Sequence, residues 1–156
     1  MVKKRKGSIP RPEVPPLQAG LRFSFCYLQQ DHSKFPIEAC LADFFHALLK
    51  QIARYEGFSY DQFTEHSQDE KRHPIIFADT TEPDGFPNID PASDELWTDE
   101  GWQFGLKDGN GRQTLWRVHG FIENGTFYIV WLDPGHKLYL PARRGPKPKV
   151  RAKKKA

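Results

Sequence analysis

The sequence predicts one α+β domain: a strand, two helices, then a run of three to four antiparallel strands. Three observations carry this. Apolar residues recur every three or four positions along 37–55, the period of an amphipathic helix. From residue 102 onward the period falls to two, with turn signals between short runs. Charge, meanwhile, is segregated towards both ends, which leaves residues 21–140 as the stretch able to build a core.

A chain of 156 residues sets the expectation of a single domain. Residues 1–20 read as a basic, Pro-rich tail with five Lys/Arg and one acid, and 141–156 as a second tail with eight Lys/Arg and no acid. The overall +3 therefore hides a domain, 21–140, with ten basic and nineteen acidic residues, a net of −9. Tails with so few apolar groups cannot offset the entropy of ordering, and are expected to be disordered when free. Their charge suits a phosphate backbone, an anionic surface or an acidic partner.

Within the domain, Leu21, Phe23, Phe25 and Tyr27 alternate along 21–28, a half-buried strand. Asp31 or Ser33 can cap the helix that follows, with Pro36 in its first turn. Ile37, Leu41, Phe44, Leu48 and Ile52 form its stripe, widened by Phe45 and Leu49, and Gly57 terminates it. Ser59 and Gln62 have capping-box spacing for a short second helix over 60–66. Pro74–Phe77 is a short strand or buried loop, and 78–100, with eight acids and no base, an irregular excursion. Trp102–Lys107, Leu115–Phe121 and Thr126–Leu132 read as strands, joined by the Gly-rich turn 108–111 and by Asn124-Gly125, a favoured hairpin turn. Asp133-Pro134-Gly135 turns the chain into His136–Tyr139.

Several function classes lack their signals. No apolar run approaches the roughly 20 residues that a bilayer requires, and no secretory leader is visible, so a cytoplasmic protein with no membrane partner is expected. Cys26 and Cys40 read as two buried thiols. His66, His73, Asp79, His119, Asp133 and His136 show no ligand spacing, so no metal site is expected. There is no phosphate-binding Gly loop and no nucleophile elbow.

Chemistry concentrates on 112–139. Arg117 sits in an apolar strand, where an unpaired cation is costly to bury, so it should face a cleft or an acid. His119 lies two residues on, hence on the same face; it is either a titratable partner for Arg117 or a satisfied core histidine. Arg72-His73 precedes Pro74 and can return to the same sheet. Lys107 and Arg112 flank the Gly-rich turn and either contact nucleic acid or solvate it.

Trp116-Arg117-Val118-His119-Gly120-Phe121, then Phe127-Tyr128-Ile129-Val130-Trp131-Leu132, then His136-Lys137-Leu138-Tyr139 make an arginine-bearing strand, a hairpin, an apolar strand and a His…Tyr ending. This order resembles the RelE/YoeB/ParE superfamily of small bacterial toxins, over 21–140 in topology and 112–139 in motif. The resemblance implies a RelE/ParE-toxin-like fold, an antitoxin protein as partner, and an RNA endonuclease that cleaves messenger RNA on the ribosome with no metal or cofactor. It further implies Arg117, His119, His136 and Tyr139 as catalytic residues: Arg117 on the phosphorane, His119 or His136 moving protons, Tyr139 orienting or stacking. Lys137, Arg72, Lys107, Arg112, Arg143, Arg144 and Lys147 are the expected nucleic-acid contacts. Two other readings stand beside it: a ParE-like inhibitor of DNA gyrase, with DNA in the target, and a non-catalytic module that binds nucleic acid or protein.

Overall fold

The computed structural model describes residues 20–86 and 100–139. Its order is β1 (Arg22–Ser24), a 3-10 turn (Ile37–Ala39), α1 (Ala42–Tyr55), α2 (Tyr60–Thr64), β2 (His73–Ile75), a second 3-10 turn (Phe77–Asp79), β3 (Gly101–Lys107), β4 (Gln113–Glu123) and β5 (Thr126–Asp133). The mixed α+β architecture follows the period change in the sequence. The sheet, however, has five strands in the order β1-β5-β4-β3-β2, not three to four. β1 joins it parallel to β5, and β2 adds a further antiparallel edge on β3. Both edge strands have three residues, a length that gives a neighbouring chain little to pair with.

β1 stops short of the expected 21–28 because the chain turns at Phe25, whose carbonyl accepts from the Leu28 N–H. The first helix starts at Ala42, not 37. Cys40 is extended and Leu41 is the N-cap without a side-chain bond, so neither Asp31 nor Ser33 serves as cap. This break lets the Cys40 side chain enter the core alongside Phe44. Phe44, Leu48, Ile52 and Tyr55 are buried at the spacing the sequence shows. The capping box forms as its residues dictate: Ser59 Oγ accepts from the Gln62 N–H at 3.1 Å, and Gln62 Oε1 from the Ser59 N–H at 2.8 Å. The Asn124-Gly125 turn has φ of 48° and 75°, the left-handed pair of a tight hairpin.

Each face of the sheet packs a core of its own. On one, α1 and α2 cover β3–β5 with Phe44, Leu48, Tyr55 and Phe63 against Phe104 and Phe127. On the other, Phe35, Phe86 and Leu138, from irregular segments, pack on Phe121, Val130 and Trp131. Each such fully buried side chain contributes about 1.5–3 kcal/mol. Phe86 lies 4.7 Å from Trp131 between ring centroids, so the acidic segment begins by docking on this second face. Residues 87–99 and the two tails lie outside the described residues. So do Arg143, Arg144 and Lys147.

Cys40 is buried, which pushes its thiol up to about 11, while Cys26 is exposed, because the turn after β1 carries it off the sheet. Among the described residues, no helix is long and apolar enough to cross a membrane.

Candidate functional site

β4 carries Arg117 between Gly105 of β3 and Asp133 of β5. The side chain is 6% exposed. Its Nη1 donates to the Thr114 carbonyl at 2.7 Å and the Trp116 carbonyl at 3.0 Å. Those two bonds orient the guanidinium and leave Nη2 and Nε with no hydrogen bond among the described residues. Gly105 makes the room: a Cβ there would lie 3.0 Å from Lys71 Cγ and 3.3 Å from Arg117 Nη1.

Asp133, fully buried, ends β5 and organises the next turn. Its Oδ1 accepts the Lys137 N–H at 2.8 Å, and its Oδ2 accepts the Leu138 N–H at 3.1 Å and His119 Nε2 at 3.1 Å. Within this turn His136 takes a left-handed φ of 53°. Lys71, in the loop before β2, takes φ 54°. Of the three described non-Gly residues with positive φ, two thus flank one recess, and such backbone costs about 1–3 kcal/mol where it persists.

Tyr139 follows the turn and is tied to Thr80 by an isolated bridge. His136 stacks on it at 6.3 Å between centroids, and His73 meets it edge-on at 5.8 Å. The His73 ring is held on both sides. Its Nδ1 lies 2.8 Å from the Pro74 carbonyl and its Nε2 3.0 Å from Gln103 Nε2, an arrangement that places the ring proton on Nδ1. The register that pairs His73 with Gln103 across β2 and β3 produces this contact.

Lys71, His73, Gln103, Arg117, His136 and Tyr139 together line an open recess of about 300 Å³. No carboxylate is among them, although the surrounding domain is strongly acidic. Burial, with Arg117 alongside, holds the His136 imidazole below its ordinary pKa, against a weaker pull from Asp133. Burial also raises the Tyr139 phenol, with Asp79 adding to the shift. Near neutral pH the recess therefore offers a neutral imidazole able to accept a proton, a phenol able to donate one, and an oriented guanidinium. Burial lowers the Arg117 pKa and Asp133 offsets it; the distance between them exceeds a direct ion pair, because Asp133 is engaged by His119 and two backbone N–H groups.

Three of the four expected catalytic residues, Arg117, His136 and Tyr139, meet at this recess. His119 does not. It occupies the expected face, but it is fully buried beneath Phe35 and Trp131, with Nε2 spent on Asp133 and Nδ1 without a partner. Desolvation keeps it neutral against the pull of Asp133, whose own carboxyl is held down, despite its burial, by the hydrogen bonds from His119 and the Lys137 and Leu138 N–H groups. Among the expected nucleic-acid contacts, Arg72 is buried against Glu70 and over the Tyr55, Phe58 and Phe63 rings. Lys107 pairs with Asp69 at 2.6 Å. Arg112 is exposed on the turn beyond β3, away from the recess, and exposed Lys137 lines a different hollow with Lys34.

Lys71, His73 as a site residue, Gln103 and Gly105 are the members the motif did not show. Gln103 and Gly105 had a visible signal: they are the small or polar alternates of Trp102, Phe104 and Leu106. Lys71 had none, since its place depends on a loop folding back onto β3. The chain matches no protein-family model, no curated protein and no solved structure.

Proposed function

We propose that this recess is the active site of a metal-independent RNA endonuclease of the toxin type. The observation that carries the reading is the convergence of Arg117, Lys71, His136 and Tyr139 on one recess with no carboxylate among its described lining residues, in an otherwise acidic domain. Cleaving RNA without a metal uses the neighbouring 2′-hydroxyl as nucleophile. His136, its pKa lowered, takes the proton from that hydroxyl. The 2′-oxygen then attacks phosphorus, and Arg117, backed by Lys71, stabilises the charge on the phosphorane oxygens. Tyr139, its pKa raised, gives its proton to the departing 5′-oxygen. The products are a 2′,3′-cyclic phosphate and a 5′-hydroxyl, with His73 placed to orient Tyr139 edge-on.

An acid and a base beside one guanidinium support this reading over gyrase inhibition or passive binding, because neither of those needs such a pair. In the toxin context an antitoxin would silence the protein, and the ribosome would present the RNA. The test is induction of the protein with mapping of messenger RNA ends. New site-selective ends that vanish in Arg117→Ala and His136→Ala are expected. Growth arrest without new ends, unchanged in both variants, would overturn the nuclease reading and favour a DNA-directed target.

A further inference from the structure

A second hollow of about 300 Å³ adjoins the first, lined by His66, Ser67, Gln68, Lys71, Arg72 and His73. Lys71 and His73 line both, so the two recesses adjoin along the β2 edge of the sheet. The loop that walls the second is preformed. Ser67 and Arg72 exchange both backbone hydrogen bonds, at 3.2 and 3.0 Å, and the Glu70 carbonyl accepts the Gly105 N–H at 2.7 Å.

The loop's carboxylates are drawn away from the hollow. Asp69 reaches Lys107, and Glu70 takes the Tyr55 hydroxyl and the Arg54 and Arg72 guanidinium groups. What faces the hollow is cationic or neutral. The Arg72 guanidinium is turned inward, paired with Glu70 over the Tyr55, Phe58 and Phe63 rings. Lys71 supplies an ammonium at the junction. Ser67 Oγ accepts from the Glu70 N–H, which leaves its own proton to donate. Gln68, exposed, has an amide able to give and take hydrogen bonds. The exposed His66 ring is braced edge-on against buried Trp102 at 6.1 Å, which leaves its outer face as a stacking platform.

Resting on the nuclease reading of the first recess, we propose that the second recess is a subsite for the nucleotide one step beyond the two that flank the scissile phosphate. The substrate is then a single RNA strand, with its neighbouring phosphate on Lys71 and its base held by His66 and Gln68. A duplex cannot present that base, because its face is stacked and its pairing edge is occupied.

The test measures binding apart from cleavage. Oligonucleotides of two and three nucleotides, 2′-deoxy at the scissile ribose so that no nucleophile exists, are titrated by anisotropy. The full-length chain is compared with a His66→Ala/Gln68→Ala double variant, which alters two exposed side chains outside the catalytic recess. The third nucleotide is expected to tighten binding to the parent chain by about tenfold, the scale of one base–aromatic stack. That increment should vanish in the double variant, while dinucleotide affinity, which does not reach the subsite, stays unchanged. No increment in the parent chain, or an increment that survives in the variant, overturns the subsite. Failure of the nuclease reading looks different: ordinary RNA stays intact whichever oligonucleotides bind. An increment that depends on His66 and Gln68 would then keep the subsite as a pure binding site.

Discussion

On the helix side of the sheet, Phe44, Leu48 and Phe63 close over Phe104 and Phe127, and the polar groups gather at Glu70, which holds Tyr55, Arg54 and Arg72. On the opposite side the same strands are covered by irregular segments, and among the described residues the cover is incomplete at one end. There polar groups must satisfy one another: His119 serves Asp133, Asp133 serves the turn at 137–138, and Gln103 serves His73. One face holds the fold together, and the other spends stability on geometry, as the two left-handed residues beside the recess show. The contrast teaches where to expect each kind of mutational effect.

The largest effect on stability should come from the helix side. Phe104→Ala removes a fully buried ring that meets Tyr55, Phe63 and Phe127, at a cost of about 3–5 kcal/mol. Denaturant unfolding should show the midpoint falling sharply, and any RNA cleavage should fail only through loss of folded protein. Arg117→Ala should do the reverse: cleavage slower by about 10²–10³-fold, with a far smaller change in midpoint. If Arg117→Ala unfolds the protein as Phe104→Ala does while the folded fraction still cleaves, the division between the faces is wrong.

Gly105→Ala sharpens the comparison, because it lies on the strand shared by both faces. The added methyl enters the polar side, 3.0 Å from Lys71 Cγ and 3.3 Å from Arg117 Nη1, so the Lys71 stem and the guanidinium must give way to it. A displacement of around 1 Å can cost up to about 10²-fold in rate. Steady-state cleavage should therefore fall, with kcat more affected than the melting temperature. A variant of full activity would mean that the spacing of the two cations does not matter.

Those two faces were unequally legible in the sequence. The helix side was open to reading because its signals are local: the 37–55 stripe, the Ser59–Gln62 box and the Asn124-Gly125 turn each act within a few residues. The polar side was half legible. Arg117 announced itself as a charge in an apolar strand, and His136 and Tyr139 as the close of the strand run. Their companions Lys71 and His73 arrive through the pairing of a three-residue strand with β3, a contact made 30 residues away along the chain. Period alone gave His119 the right face but not the cover of Phe35, whose position depends on an irregular loop. The first strand was legible from its aromatic alternation, though shorter than read, and 74–77 stood open between strand and loop; what so few residues could not show is how they join the sheet, β1 parallel to β5 and β2 antiparallel to β3.

The smallest effect expected is on the acid side of the stability profile, and it tests whether His119 belongs to the scaffold. Its pKa is lowered on folding because burial penalises the imidazolium. The folded state then binds fewer protons than the unfolded chain, so stability rises with pH through the interval below the ordinary value of 6.5. His32 and His136 are lowered by burial too, and contribute with the same sign. Asp133 is also lowered, but its contribution is lost only in the carboxylate range, well below that interval. Stability should accordingly fall as pH drops below about 6.5, by no more than about 1.4 kcal/mol per pH unit for His119 and by less for the more exposed His32 and His136, read as a falling melting temperature. His119→Gln keeps an N–H donor for Asp133 and removes the titration. It should flatten the slope in part, with the remainder belonging to His32 and His136, while cleavage keeps its pH dependence because His136 is untouched. A stability slope unchanged in His119→Gln, with the pH dependence of cleavage lost, would move His119 from the scaffold to the chemistry.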